Sequence, residues 1–181
     1  MEPHAHLPPM FRLTELETGD ARATARTVSE AGSVLHVARP DRLDCAVVLQ
    51  PGADERSAAK MAQLAMADAL AVLAPPERPI TLDPHGWLMV DGAVVGRVEI
   101  EAGIPPRLVA AVSVELRGED EAPGLHPDRS DLWEEGFGEV APGELLEVFC
   151  RHLLSWQDVF HEDGPAVLDA AWHRRMRGGH E

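Results

Sequence analysis

Three arginines, Arg39, Arg42 and Arg97, are placed to meet an anionic ligand, because a guanidinium grips a carboxylate or phosphate with two parallel hydrogen bonds. The acids Asp41, Asp44 and Glu99 lie close by in sequence and are the competing partners. The segment Asp83-Pro84-His85-Gly86-Trp87 is the second candidate. It precedes Asp91-Gly92, a strong hairpin signal, and Pro84 and Gly86 interrupt regular strand pairing, which suits a ligand-facing corner with Asp83, His85 and Trp87 on its wall. Cys45 would need a base or a positive field to act as a nucleophile, yet Asp44 is its neighbour and raises its pKa. Cys45 and Cys150 are therefore read as small buried hydrophobes. His4 with His6 in the terminal lead-in, and His161-Glu162-Asp163 in an expected turn, are the residues that could be offered as metal ligands, and neither placement favours a site, so no metal is expected. Only one of the 16 basic residues, Lys60, is a lysine; its place in the middle of an alanine-rich helix reads as a surface lysine that snorkels to water.

Charge narrows the partners. The 31 acidic residues against 16 basic ones leave a net charge of -15, which disfavours nucleic acid and anionic membranes, both of which need a cationic face. No run approaches the ~18 to 20 apolar residues of a membrane span, and the first residues are neither cationic nor followed by an apolar stretch. The expectation is a soluble, cytoplasmic protein. Its 181 residues suit a single domain spanning 1–181, with an extended lead-in over 1–12 and a solvated acidic loop over 118–130.

The elements that must position these residues follow from periodicity. Thr18 or Asp20 caps a helix running to about Ala31, ended by Gly32. Val34 to Ala38 and Leu43 to Leu49 read as strands joined by Arg39-Pro40-Asp41-Arg42. From Asp54 to Leu73, Ala58, Met61, Ala62, Ala65, Ala69, Val72 and Leu73 recur at helical spacing on one side, and Leu64, Met66 and Leu70 widen that surface. Pro75-Pro76 stops the helix; Ile80 to Leu82, Trp87 to Val90, Ala93 to Ile100 and Leu108 to Leu116 read as strands. A helical stripe over Gly143 to Phe160 carries Leu145, Leu146, Phe149, Leu153, Trp156 and Phe160. A terminal helix through Met176 turns Val167, Leu168, Ala171 and Trp172 inward, so that Phe149, Leu153, Trp156 and Trp172 should be buried together against the sheet. This is an α+β order, mostly antiparallel, with the helices packed on the sheet.

The order, with certain words in it, resembles the catalytic domain of biotin and lipoate protein ligases from about Phe11 onward. Ser130-Asp131-Leu132, Glu135-Gly136 and Glu144-Leu145-Leu146, then Gly164 and Trp172, fall at family-like intervals, and Asp91-Gly92 sits where the family has an Asp-Gly hairpin. The resemblance implies joining a small carboxylic acid to the α-phosphate of ATP, then passing the acyl group to a lysine of a carrier domain. Such chemistry needs positive groups where negative charge builds up in the transition state. The family supplies them with a loop rich in glycine and arginine, a Lys-Trp-Pro-Asn-Asp word and a later lysine. Here the loop is only Arg39-Pro40-Asp41-Arg42, the word is Asp83-Pro84-His85-Gly86-Trp87, and the later lysine position is Val94.

Two readings follow. In one, the protein is catalytically degenerate, an accessory or binding module for a small carboxylic acid, a nucleotide or a carrier protein, with ligand contacts from Arg39, Arg42, Asp83, His85, Trp87 and Arg97. No cofactor is then required. In the other, the catalytic residues have moved and the protein is an active ligase or acyltransferase, which would use ATP with biotin, lipoate or octanoate.

Overall fold

Period-two alternation sends successive side chains to opposite faces of a strand, whereas apolar residues three and four apart line one side of a helix. Both patterns are realised in the computed structural model, which describes residues 5–118 and 128–177. In chain order the elements are β1 (Arg12–Leu16), α1 (Ala21–Ala25), β2 (Ser33–Val37), β3 (Arg42–Val48), α2 (Glu55–Leu73), β4 (Ile80–Leu82), β5 (Trp87–Val90), β6 (Ala93–Ala102), β7 (Leu108–Glu115), α3 (Pro142–Asp163) and α4 (Pro165–Arg177). The strands form one seven-stranded sheet in the order β1-β2-β3-β7-β6-β5-β4. Only β1 and β2 run parallel; the other neighbours are antiparallel, so the fold is α+β with a mixed sheet.

The two faces of the sheet are unequal. One is covered by α2, α3 and α4, and its core takes Val34, Cys45, Leu88, Val98 and Val112 from the strands with Leu64, Phe149, Leu153 and Leu168 from the helices. Among the described residues the other receives only α1, whose Ala21 and Ala25 seat on Leu35, Val37, Ala46, Val48 and Val109. Small residues let that five-residue helix lie close to the strands, and among the described residues the rest of this face is open. Asp54 caps α2 by accepting from the Ser57 N–H at 2.7 Å.

Several sequence expectations change. A strand, β1, begins where only a lead-in is expected, and the chain turns after it at Gly19, which takes φ +107. The first helix stops at Ala25 rather than Ala31, because Thr27 and Val28 are β-branched and the Thr27 hydroxyl bonds the Thr24 carbonyl at 2.8 Å. Asp20 is its cap. Gly32, expected to end that helix, instead takes φ +87 beside the Met10 carbonyl. Val72 and Val167, expected inside, are 63% and 41% exposed. Phe149 and Leu153 are fully buried, but Trp156 and Trp172 are half-buried and clamp α2 rather than the sheet. Their indole N–H groups donate to Asp68 at 2.8 Å and Gln63 at 2.7 Å. Within the acidic loop, residues 119–127 lie outside the described residues, as does His4. Among the described residues no helix is long and apolar enough to cross a membrane.

Lys60 is the clearest correction. It does not snorkel to water; it is buried under α4, where its ammonium pairs with Asp169 and lies 5.1 Å from the Trp172 ring centre. A charged group tolerates burial when a counter-charge and a π-face replace its water. The hydrogen bond from Lys60 holds the Asp169 carboxyl below the ordinary aspartate value. A depressed folded value means the pair stabilises fully above the unfolded pKa, ~3.9, and fades as pH falls through the lower folded value. Asp169→Asn is therefore expected to cost about 1 kcal/mol at pH 7, kept small by solvent at the half-exposed carboxylate, with a difference that shrinks below about pH 4. Urea unfolding of both proteins at pH 7 and pH 3 checks this.

Candidate functional site

Register assembles the polar residues of the open face. Asp44 of β3 lies opposite Ser113 of β7, Ser113 opposite Arg97 of β6, and Arg97 opposite Trp87 of β5. The next residue along each strand, Cys45, Val112, Val98 and Leu88, enters the helix-side core, so this row points the other way. The Arg97 guanidinium sits 4.6 Å from the Trp87 ring centre and pairs with Glu99 at 2.8 Å. From α1, Arg22 reaches Glu99 at 3.0 Å and Glu101 at 2.9 Å. Arg42 pairs across the strands with Glu115 at 2.6 Å. Arg22, Arg42 and Arg97 are thus each already matched to a carboxylate, and Asp44 adds a further negative charge. Two buried polar atoms of the array, Arg42 Nε and Glu101 Oε2, have no hydrogen-bond partner among the described residues.

The corner at Asp83 is built from backbone. Asp83 Oδ1 accepts the N–H groups of His85 at 2.8 Å and Trp87 at 2.9 Å, and the Gly86 N–H donates to the Asp83 carbonyl at 3.1 Å. Gly86 takes φ +84, and its carbonyl accepts the Val98 N–H at 2.9 Å, which fastens the corner to β6. Asp83, Trp87, Met89, Val94, Asp128 and Arg129 wall a cavity of about 120 Å³. Asp83 and Val94, the residues standing where the resembled family has its two lysines, therefore face the same small space.

The remaining candidates are spread out. His85 is exposed and shares a shallow hollow with Arg97 and with Glu55 and Arg56 of α2. Arg39 lies apart from Arg42 and Arg97, on the wall of a separate cavity with His36 and Trp133. Arg97 pairs with Glu99 as the local alternative anticipates, whereas Arg42 takes Glu115 instead of Asp41 or Asp44. Sequence reading missed Arg22, Glu101 and Glu115. The signal for Glu101 was present: charges at 97, 99 and 101 alternate with apolar residues, as on a strand with one polar face.

Neither cysteine is available for covalent chemistry. Cys45 is fully buried, and burial first, then Cys150 and Asp44, raise its pKa well above the ordinary thiol value. Burial pushes Cys150 up to about 12. Among the described residues no group of three or more His, Cys, Asp or Glu side chains could hold a metal ion. Asp131 is structural: buried, it accepts the Gly118 and Glu134 N–H groups, each at 2.8 Å, and ties the segment after β7 to the strand end.

A sequence model of the biotin/lipoate A/B protein ligase family matches residues 7–174, nearly the whole chain. The chain belongs to this family. Among solved structures, this ligase-family chain is similar to a biotin protein ligase-like protein of unknown function from Silicibacter sp. TM1040, with 28% identity, a TM-score of 0.81 and coverage of 96% of this chain and 81% of that one. The biotin protein ligase of Aquifex aeolicus superposes with a TM-score of 0.77 at 15% identity, over 90% of this chain and 76% of that one. The Leishmania major biotin protein ligase bound to biotinyl-5-AMP gives 0.73 at 15%, over 96% and 84%. At 15% identity the latter two establish the shared fold. No curated protein matches this family member.

Proposed function

We propose that this member of the ligase family has lost acid activation and serves as a binding or accessory module for a small carboxylic acid or a carrier domain. The observation that carries the reading is the cavity between Asp83 and Val94. A carboxylate and an isopropyl group stand where acyl activation needs cations, and Asp128 adds a second negative charge beside them. Of the nearby arginines, Arg22, Arg42 and Arg97 are held by Glu99, Glu101 and Glu115, and Arg129 shares the cavity wall with two carboxylates, Asp83 and Asp128. Like charge at ~4 Å costs kilocalories rather than tenths at a partly buried site, so a nucleotide is the ligand class this face is least able to accept. An acyltransferase working through a cysteine is disfavoured as well, since Cys45 is buried away from the open face and held as a neutral thiol.

Calorimetric titration of ATP and of biotin into wild type, Asp83→Asn and Asp83→Lys tests the reading. Asp83→Asn retains Oδ1 for the His85 and Trp87 N–H groups, so it removes charge while leaving the turn bonded. The expected result is no measurable ATP binding to wild type, weak binding to Asp83→Asn and stronger binding to Asp83→Lys. ATP binding to wild type that either substitution weakens would overturn it.

A further inference from the structure

α3 and α4 both pack on α2, and they hold it by different chemistry. α3 binds through an apolar stripe that includes Leu146, Phe149 and Leu153, all fully buried. The buried apolar side chains of α4 among the described residues are Leu168 and Ala171, while Val167 stays exposed. Its remaining hold on α2 is polar and regularly spaced. Asp169 pairs with Lys60, the Trp172 indole N–H donates to Gln63 Oε1 at 2.7 Å, and Arg175 donates to Asp68 at 2.6 Å. Residues 169, 172 and 175 recur at every third position and so share one face of α4.

Polar rungs of this kind regain hydrogen bonds to water when two helices part, whereas apolar surface regains nothing, so a helix held by them opens at lower free energy than the core. Gln63 connects that helix to the candidate site. An indole N–H is a donor with no acceptor capacity, so its bond to Oε1 fixes the orientation of the Gln63 amide and turns Nε2 away from α4. On that side Nε2 lies against Gly86: a Cβ on that residue would sit 2.9 Å from it. Gln63 is buried, and it shares the hollow beside the corner with Pro84, His85 and Arg97.

We infer that α4 is a detachable clasp and that Gln63 is the positioning residue through which its docked state holds the Asp83 corner in shape. With α4 in place, the Trp172 N–H pins the amide, and Gln63 braces Gly86 from the helix side while the Val98 N–H holds the Gly86 carbonyl from β6 at 2.9 Å. With α4 released, Lys60, Gln63 and Asp68 face water, and the amide is free to swing off the corner. The coupling is reciprocal: a ligand that fixes the corner tightens α4, and a partner that draws α4 away loosens the corner. The inference concerns the shape of the corner and stands whether or not the open face has kept acid activation, since its test measures amide exchange with no ligand present.

Native-state hydrogen exchange of the full chain, followed at single amides by NMR in low urea, tests this. In wild type the amides in the middle of α4 and those of Gly86 and Trp87 are expected to share one opening free energy. It should lie below that of the Gly32 and Leu49 amides, which bond the Val48 and Leu108 carbonyls elsewhere on the sheet. Trp172→Phe removes the indole N–H and keeps an aromatic ring; it is expected to speed exchange about fivefold to tenfold in α4 and at Gly86 and Trp87 alike, the worth of one hydrogen bond, with Gly32 and Leu49 unchanged. Asp169→Asn loosens α4 without touching Gln63 and should speed both groups by a common factor. In a Gln63→Met background, which keeps the length and removes the amide, Trp172→Phe should no longer speed the corner amides, because the contact it acts through is gone. Exchange of α4 only by global unfolding, a corner that does not respond when α4 loosens, an equal rise at every amide, or a corner response to Trp172→Phe that persists without the Gln63 amide would overturn the inference.

Discussion

Replacing Phe149 with alanine is expected to remove about 3 to 5 kcal/mol of stability, the cost of deleting a large aromatic side chain from a core that cannot close over the gap. Phe149 is on the buried stripe of α3 and is the largest fully enclosed side chain among the described residues. Its helix is pinned along the contact with α2: Trp156 bonds Asp68, and Arg175 of α4 bonds the same aspartate at 2.6 Å. Those ties resist the collapse that would otherwise soften the loss. Urea denaturation of wild type and Phe149→Ala measures it. A change below about 1 kcal/mol would mean that α3 is not the main lid on the sheet.

Gly86→Ala is expected to be the most damaging single-methyl substitution at the candidate site. A Cβ there would lie 2.2 Å from the Val98 carbonyl oxygen and 2.9 Å from Gln63 Nε2, and the backbone sits at φ +84. Positive φ alone costs about 1 to 2 kcal/mol for a residue with a side chain, and forcing atoms into packed backbone adds roughly 1 to 3 kcal/mol. Gly92 provides the control, because it takes φ +85 with nothing within 4 Å of its would-be Cβ. Gly92→Ala should therefore show the conformational cost alone, and Gly86→Ala should exceed it by the packing contribution. Equal midpoints for the two variants would show that the corner at Asp83 yields freely, and the bonds from its turn to β6 would then not hold the site's shape.

The parts of this protein that were legible in its sequence are those set by local periodicity. The alanine-rich stripe of α2, the Asp91-Gly92 turn and the apolar spacing of α3 each constrain their own segment, and these elements lie within a few residues of their expected ends. β1 was illegible because its pairing is non-local: five residues that are exposed or half-buried become a strand only by lying beside β2. Lys60 was misread for the same reason, since its partners Asp169 and Trp172 lie more than a hundred residues further along the chain. Arg22 gave no hint that it would cross to β6, and the clasp it forms with Glu99 and Glu101 depends on a short helix landing on the open face. By contrast, the two-residue turn sets Met89 opposite Val94, and a bulge between Leu88 and Met89 then shifts the register by one residue to place Trp87 opposite Arg97.

On this reading the ligase fold persists here without the electrostatics of acid activation. Exchange of labelled pyrophosphate into ATP, measured with biotin, lipoate and octanoate in turn, reads that activation step without a carrier domain. No acid-dependent exchange above the protein-free background is expected with any of the three. Acid-dependent exchange that is abolished by replacing Arg39 or Arg97 would contradict it and show that the cationic groups have been relocated rather than lost.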